Sequence, residues 1–268
     1  SPDAAGKATP DRLICRGRVR AHSDNQTLWA DDLVATLEPL GEDAEGQDGP
    51  MDRITIRDVL ATGDVQVLMK DNARAFADRL EGDAKQETVV LTGDDVIIAR
   101  PDVVIDRGHN LRIDRIAGTA DWEGSGRSRM LAEPIWLAAQ NRIPPPRIVG
   151  NAGDPRVTMR SLWNTSLHYD TNFADGAGAM DILGDVDIVV DRSDLQRSSL
   201  QGQSVRLEFS NLADAKTTTP PNDDPFQSEA RVLHRLIAKG DARLESRTWE
   251  TAARSQLPRV FFVGAKHI

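Results

Sequence analysis

Thiols and aromatic rings are scarce in this chain. Cys15 is the only cysteine among 268 residues, which excludes an intrachain disulfide and a thiolate zinc site. That usage fits the cytosol, and equally a periplasmic fold that needs no covalent staple. Aromatic residues make up 4%, with a single Tyr, so the core must rest on Val, Ile and Leu. Side chains of that size suit repeated narrow layers better than one thick interior. Positive charge is also short, with 33 Lys and Arg against 42 Asp and Glu and a formal net charge of −9. This disfavours nucleic-acid binding and flat adsorption to an anionic membrane. No apolar run approaches the roughly 20 residues of a membrane-spanning helix. The opening SPDAAGKATP has no basic-then-apolar leader and reads as a flexible linker exposed by trimming, so it does not disclose the compartment.

Chemical signatures are missing too. His22, His109, His168, His234 and His267 are scattered, with no H-x-H or H-E-x-x-H spacing, so an ordinary structural role is the default for each. The stretch EGSGRS at 123–128 has the wrong spacing for a nucleophile elbow. Neither a P-loop nor a dinucleotide fingerprint occurs. Asp181, Asp185 and Asp187 invite thoughts of a sugar-cleaving cleft. A solvated strand face explains them more economically, because glycosidases oppose carboxylates from different elements. Asn25 and Asn164 match a glycosylation pattern that is common by chance. The reading is nonenzymatic, with no metal and no cofactor.

What is present is alternation. Val65, Val67 and Met69 share one face, as do Val96 and Ile98. Leu111 pairs with Ile113, Val186 with Ile188 and Val190, and Val205 with Leu207 and Phe209. Period two is strand patterning. The segment 230–240 fits a helix or a strand, and its ending KGDARLES, matching TGDVQVLM and LGDVDIVV, favours the strand. Gly17, Gly63, Gly93, Gly184 and Gly240 each stand just before such a run, where glycine supplies a tolerant backbone position between rungs. Their separations of 46, 30, 91 and 56 residues rule out a fixed-period solenoid. Stacked units of this kind build a continuous apolar trough.

Polar and Pro/Gly-rich stretches divide the chain. Residues 1–10 read as a tail, 37–52 as an acidic mobile loop, and 211–225 as a further interruption. A proline-rich connection at 141–155 separates a β portion at 11–140 from a second at 156–268, continuous with the first. Phe76, Trp122, Trp136, Trp163, Trp249, Phe261 and Phe262 make no repeated stacking platform, so core packing or edge covering is their default. Arg127 and Arg129, beside Trp122, are candidates to meet an anionic head group.

The repeated phrases resemble the OstA-like lipopolysaccharide-transport family. In that family an A-D-x-L segment leads through a turn to V-x-L-x-G-x-V-x-I. Ala77, Asp78 and Leu80 occupy the first element here, and Val90, Thr92, Gly93 and Val96 the second, with Asp95 as an extra residue. Ala30, Asp31 and Leu33 repeat the first element, while Gly63–Asp64–Val65 and Gly184–Asp185–Val186 repeat the strand start. The likeness covers residues 11–127 well and 163–250 more weakly. It implies an all-β, elongated, folded-over antiparallel jellyroll of stacked short strands, placed in the periplasm and associated with a membrane through regions beyond this chain. It also implies end-to-end jellyroll partners, Lpt-like proteins among them, and lipopolysaccharide or a related amphipathic lipid as cargo in outer-membrane biogenesis. Val65, Val67, Val96, Ile98, Leu111, Ile113, Val186 and Ile188 would then line the lipid groove; if the sheets close, they are simply core. The competing readings are an extracellular or periplasmic scaffold or adhesion domain, and a β-helical polysaccharide-processing enzyme.

Overall fold

Alternating Val and Ile runs bounded by polar turns produce strands throughout. The computed structural model describes residues 11–39, 54–69, 72–100, 103–132, 157–173, 178–192, 196–211, 231–249 and 257–267. Its fourteen elements are all strands. They are β1 (Arg12–His22), β2 (Gln26–Pro39), β3 (Ile54–Met69), β4 (Arg74–Asp83), β5 (Thr88–Ala99), β6 (Val103–Asp114) and β7 (Thr119–Glu123). The others are β8 (Gly126–Ala132), β9 (Val157–Trp163), β10 (Ser166–Asp170), β11 (Ala179–Arg192), β12 (Gln196–Asn211), β13 (Arg231–Thr248) and β14 (Arg259–His267). Within the segment at 230–240, the described residues 231–240 are strand, as the ending indicated. Leu37–Pro39 belongs to β2, so the strand runs into the stretch read as a loop. The tail at 1–10, the connection at 141–155, Trp136 and the rest of the loops read at 37–52 and 211–225 lie outside the described residues.

All strands join one elongated sheet, and every pairing is antiparallel. The order follows the chain from β1 to β7, then β10 to β14. The two halves of β6 pair with β7 and β8, and the two halves of β11 with β10 and β9. Sheet pairing thus continues from the first β portion into the second. Among the described residues, β1 pairs only with β2 and β14 only with β13.

The recurring glycines do not precede strands; they sit inside them. Gly17–Arg18, Gly63–Asp64, Gly184–Asp185 and Gly240–Asp241 have positive φ at both residues, and the ladder register shifts at each. These are β-bulges, which bend a strand and raise its twist. Glycine takes the left-handed conformation without penalty, and Asp tolerates it better than most residues. Gly93 does not share the positive φ; there the bulge spans 93–95, absorbing the extra Asp95.

Across the sheet the bulges fall in line. Pairing on either side of each bulge puts Asp31 opposite 17–18 and 63–64, Asp78 opposite 63–64 and 93–95, and Gln203 opposite 184–185 and 240–241. The breaks at 124–125 and 164–165 continue the same line. A glycine bulge on one strand therefore meets a single polar residue on the next. That is the physical basis of the two alternating phrases, G-D-V and A-D-x-L. The Asp78 carboxylate accepts the Asp94 backbone N–H at 2.9 Å, satisfying a donor that the bulge removes from the ladder. Asp78→Ala should cost about 1 kcal/mol in urea unfolding, the usual net value of one hydrogen bond. Asp78→Asn, which keeps the acceptor, should recover most of it.

Candidate functional site

One face of the sheet is apolar, and most of its buried residues form a single cluster spanning both sides of the bulge line. Seven of the eight residues expected to line a groove, Val65, Val67, Val96, Ile98, Leu111, Val186 and Ile188, belong to it at 0–7% exposure. Ile113 is only half-buried and packs against the cluster from outside. The structure brings all eight to one face, with seven of them at its most enclosed level.

Burial falls off along several strands, although on β2 Ala35 is more enclosed than Leu33 and on β4 Ala75 more than Ala77. On β3, Val65 and Val67 are buried and Met69 is half-buried. On β11, Val186 and Ile188 are buried in one direction and Ile182 in the other, with Val190 and Met180 half-buried beyond them. On β12, Val205 and Leu207 give way to Phe209. Leu91 to Val89, Leu111 to Ile113 and Ala238 to Leu236 repeat the pattern. On these strands apolar side chains are sealed next to the bulge line and partly open four to six residues from it. The half-buried margin carries Met69, Ile113, Met159, Tyr169, Met180 and Phe209. Period-two reading locates the face but not the depth: it names Met69, Ile113 and Phe209 but not Met159, Tyr169 or Met180, and does not separate the margin from the sealed level.

Two tryptophans flank the line, one on each side. Trp122 on β7 and Trp163 on β9 are buried and meet edge to face, with ring centroids 6.3 Å apart and planes at 75°. Their rings lie over glycines: an added Cβ at Gly108 would stand 2.1 Å from Trp122, and one at Gly126 2.1 Å from Trp163. Trp122 Nε1 donates to the Ser125 carbonyl at 3.2 Å. Trp163 Nε1 and Ser161 Oγ are buried with no hydrogen-bond partner among the described residues.

The polar candidates resolve into structural contacts. Arg127 and Arg129 both reach the buried Asp106 carboxylate, at 2.7 and 3.1 Å. Hydrogen bonding to Asp106 raises the Arg127 pKa further above its ordinary range. These arginines hold Asp106, which accounts for them without a head group. Asp181 pairs with Arg206 at 2.9 Å, and Asp185 accepts from Asn164 Nδ2 at 2.7 Å. The bulge at Gly184–Asp185 falls between Asp181 and Asp187, so the three carboxylates do not continue one regular strand row. His22 bonds to Thr27 at 2.9 Å, His109 to the Gly93 carbonyl at 3.3 Å and His168 to Asp121 at 2.5 Å. Among the described residues no group of three or more His, Cys, Asp or Glu is arranged to hold a metal ion. Of the two defaults for the aromatics, core packing or edge covering, Phe261 and Phe262 do not pack in the core: they are 61% and 54% exposed on β14, at the end of the strand order. Comparison with family models, with curated proteins and with solved structures found no match for this chain.

Proposed function

We propose that the sheet folds over along its bulge line into a jellyroll-like trough whose open margin holds the acyl chains of an amphipathic lipid. In this reading the chain binds or passes on lipopolysaccharide or a related lipid in the periplasm, without catalysis, during outer-membrane biogenesis. The observation that carries it is the burial gradient. A single sheet can seal Val96 and Val186 only if something covers its apolar face, and the described elements offer no second layer. Self-covering along a line of bulges supplies that cover. Contact between Trp122 and Trp163, which lie on opposite sides of the line, supports the same closure.

The half-buried margin is where cargo gains most. Each acyl methylene taken from water contributes about 0.8 kcal/mol, so ten of them supply about 8 kcal/mol before association costs. Flexible Met side chains adapt to chains of varied length. The scaffold reading draws on the tight burial of Val65, Val96 and Val186, and it predicts a face with no uptake. Native mass spectrometry after incubation with an outer-membrane lipid extract separates the two. The trough reading expects folded protein carrying a discrete lipid adduct that detergent displaces. Folded protein that stays bare at saturating lipid would leave the scaffold as the better account.

A further inference from the structure

Strand β9 carries two unused hydrogen-bond donors inside the apolar face. Ser161 is 1% and Trp163 3% exposed, and neither Ser161 Oγ nor Trp163 Nε1 has a hydrogen-bond partner among the described residues. Asn110 Oδ1 and Asp187 Oδ1 share that condition. Both of those residues are only half-buried, however, and Asn110 donates through Nδ2 to Glu123 at 3.0 Å. Thr27 and Asp106 are buried with partners, His22 for the first and Arg127 and Arg129 for the second. A buried hydroxyl left unmatched is costly, and native structures keep few of them without a reason.

Strand alternation puts both donors on the apolar face. Met159, Ser161 and Trp163 follow one another at period two on β9. Trp163 belongs to the apolar cluster and Met159 packs against it. Across the sheet Ser161 stands opposite Ser128 on β8 and Ile188 on β11, and Ser128 stands opposite Ile105 on β6. Two serines, both buried, therefore sit side by side between two isoleucines. Toward the margin the next residue on this face is the half-buried Met159. Toward the bulge line it is Trp163, whose ring lies over Gly126. Ser161 stands where the margin meets the sealed level.

We propose that Ser161, with the Trp163 N–H one strand step deeper, holds the carbonyl oxygen of an acyl ester or amide. The trough then selects lipids that carry such a linkage over alkyl ethers and plain hydrocarbon. This rests on the trough reading and deepens it by naming what the site selects. Ser161 donates through O–H and Trp163 through N–H, and a carbonyl oxygen accepts with two lone pairs. Neither donor is charged, so a free fatty acid would bury its carboxylate here without a counter-charge from either. An ether lacks the carbonyl oxygen and leaves both donors unpaired. Sites built to meet a polar group reject analogues lacking it more sharply than apolar pockets sort ligands by size. A chain packed against Met159 brings its linkage to Ser161 from the margin, without crossing the bulge line.

The test sets diacyl phosphatidylglycerol against its dialkyl ether counterpart, matched in head group and chain length, in competition for the whole chain by native mass spectrometry. The ester should bind roughly tenfold more tightly, the scale of one hydrogen bond to a buried donor. Ser161→Ala should bring the ester down to the ether's level. With an isotope label on the ester carbonyl, the infrared stretch should lie at lower frequency on the wild-type chain than on Ser161→Ala, a shift that lost packing alone does not produce. The urea midpoint of lipid-free Ser161→Ala should stay level or rise, because the hydroxyl removed has no partner there. Equal binding of ester and ether would overturn the proposal and leave the trough reading standing, whereas binding of neither would overturn both. An ester preference that survives Ser161→Ala would overturn the proposal too. So would a lowered urea midpoint in that variant, which would mark a hydroxyl serving the fold through buried water alone.

Discussion

Val96→Asp should abolish folding, whereas Ile113→Asp should leave a folded protein and, if the proposed trough holds lipid, abolish lipid uptake. Both positions alternate toward the same face, and sequence alone treats them alike. Val96 is fully buried beside the bulge line, where an unpartnered carboxyl group costs about 2–7 kcal/mol. A domain of this size has roughly 5–15 kcal/mol of stability in all, so one such substitution removes much of it. Ile113 lies at the margin, half-open to water. There the carboxylate keeps part of its hydration, and the cost to folding falls to about 1 kcal/mol, typical of point substitutions. In the trough reading the same charge stands where an acyl chain must pass. Circular dichroism and urea titration would establish folding, and native mass spectrometry would count bound lipid. A folded Ile113→Asp protein with undiminished lipid capture would remove the margin from the cargo path.

Strand identity was legible because Val, Ile and Leu recur at period two, from Val65 and Val67 through Val205 and Leu207. That signal is local and survives any arrangement of neighbours. The ambiguous segment at 230–240 also resolved from a local cue, the Lys239–Gly240–Asp241 ending shared with other strands. The glycine positions were legible, but their role was not. A glycine at positive φ serves a bulge or a tight turn alike, and only the partner strand's register tells them apart. Asp31 and Asp78 stood out in the A-D-x-L phrases, yet their position opposite bulges on neighbouring strands is a property of pairing across 15 to 33 residues. Depth on the apolar face was not legible at all. Val67 and Met69 differ in burial only because of distance from a line that the whole sheet defines. For the same reason the sequence leaves core packing and edge covering open for Phe261 and Phe262: nothing local marks β14 as the end of the strand order.

Gly126→Ala should be among the most destabilising single-methyl additions in the chain. The new Cβ would stand 2.1 Å from the Trp163 ring and 2.9 Å from Trp122 Nε1. Neither ring can yield easily, since both are buried and meet each other edge to face. Overpacking of this kind costs about 1–3 kcal/mol and rises further where backbone must shift. Gly108→Ala should behave alike, because its Cβ would stand 2.1 Å from Trp122. A double-mutant cycle supplies the check. Trp163→Leu alone should destabilise through lost packing, but Gly126→Ala added to it should cost far less than in the wild-type background. Simple additivity of the two losses would mean that the ring over Gly126 is not what makes the glycine necessary.

Site-specific photo-crosslinking tests the central claim most directly, that the apolar margin holds lipid while the line beside the bulges stays sealed. A diazirine amino acid placed in turn at Met69, Ile113 and Phe209 would probe the margin, at Val96 the sealed level, and at Asp64 and Asp95 the exposed surface. Photolysis in the presence of outer-membrane lipid should give lipid adducts at the three margin positions and none at Asp64 or Asp95, with Val96 weak or silent in folded protein. Uniform labelling across all six positions, or folded protein with no adduct at the margin, would contradict the account.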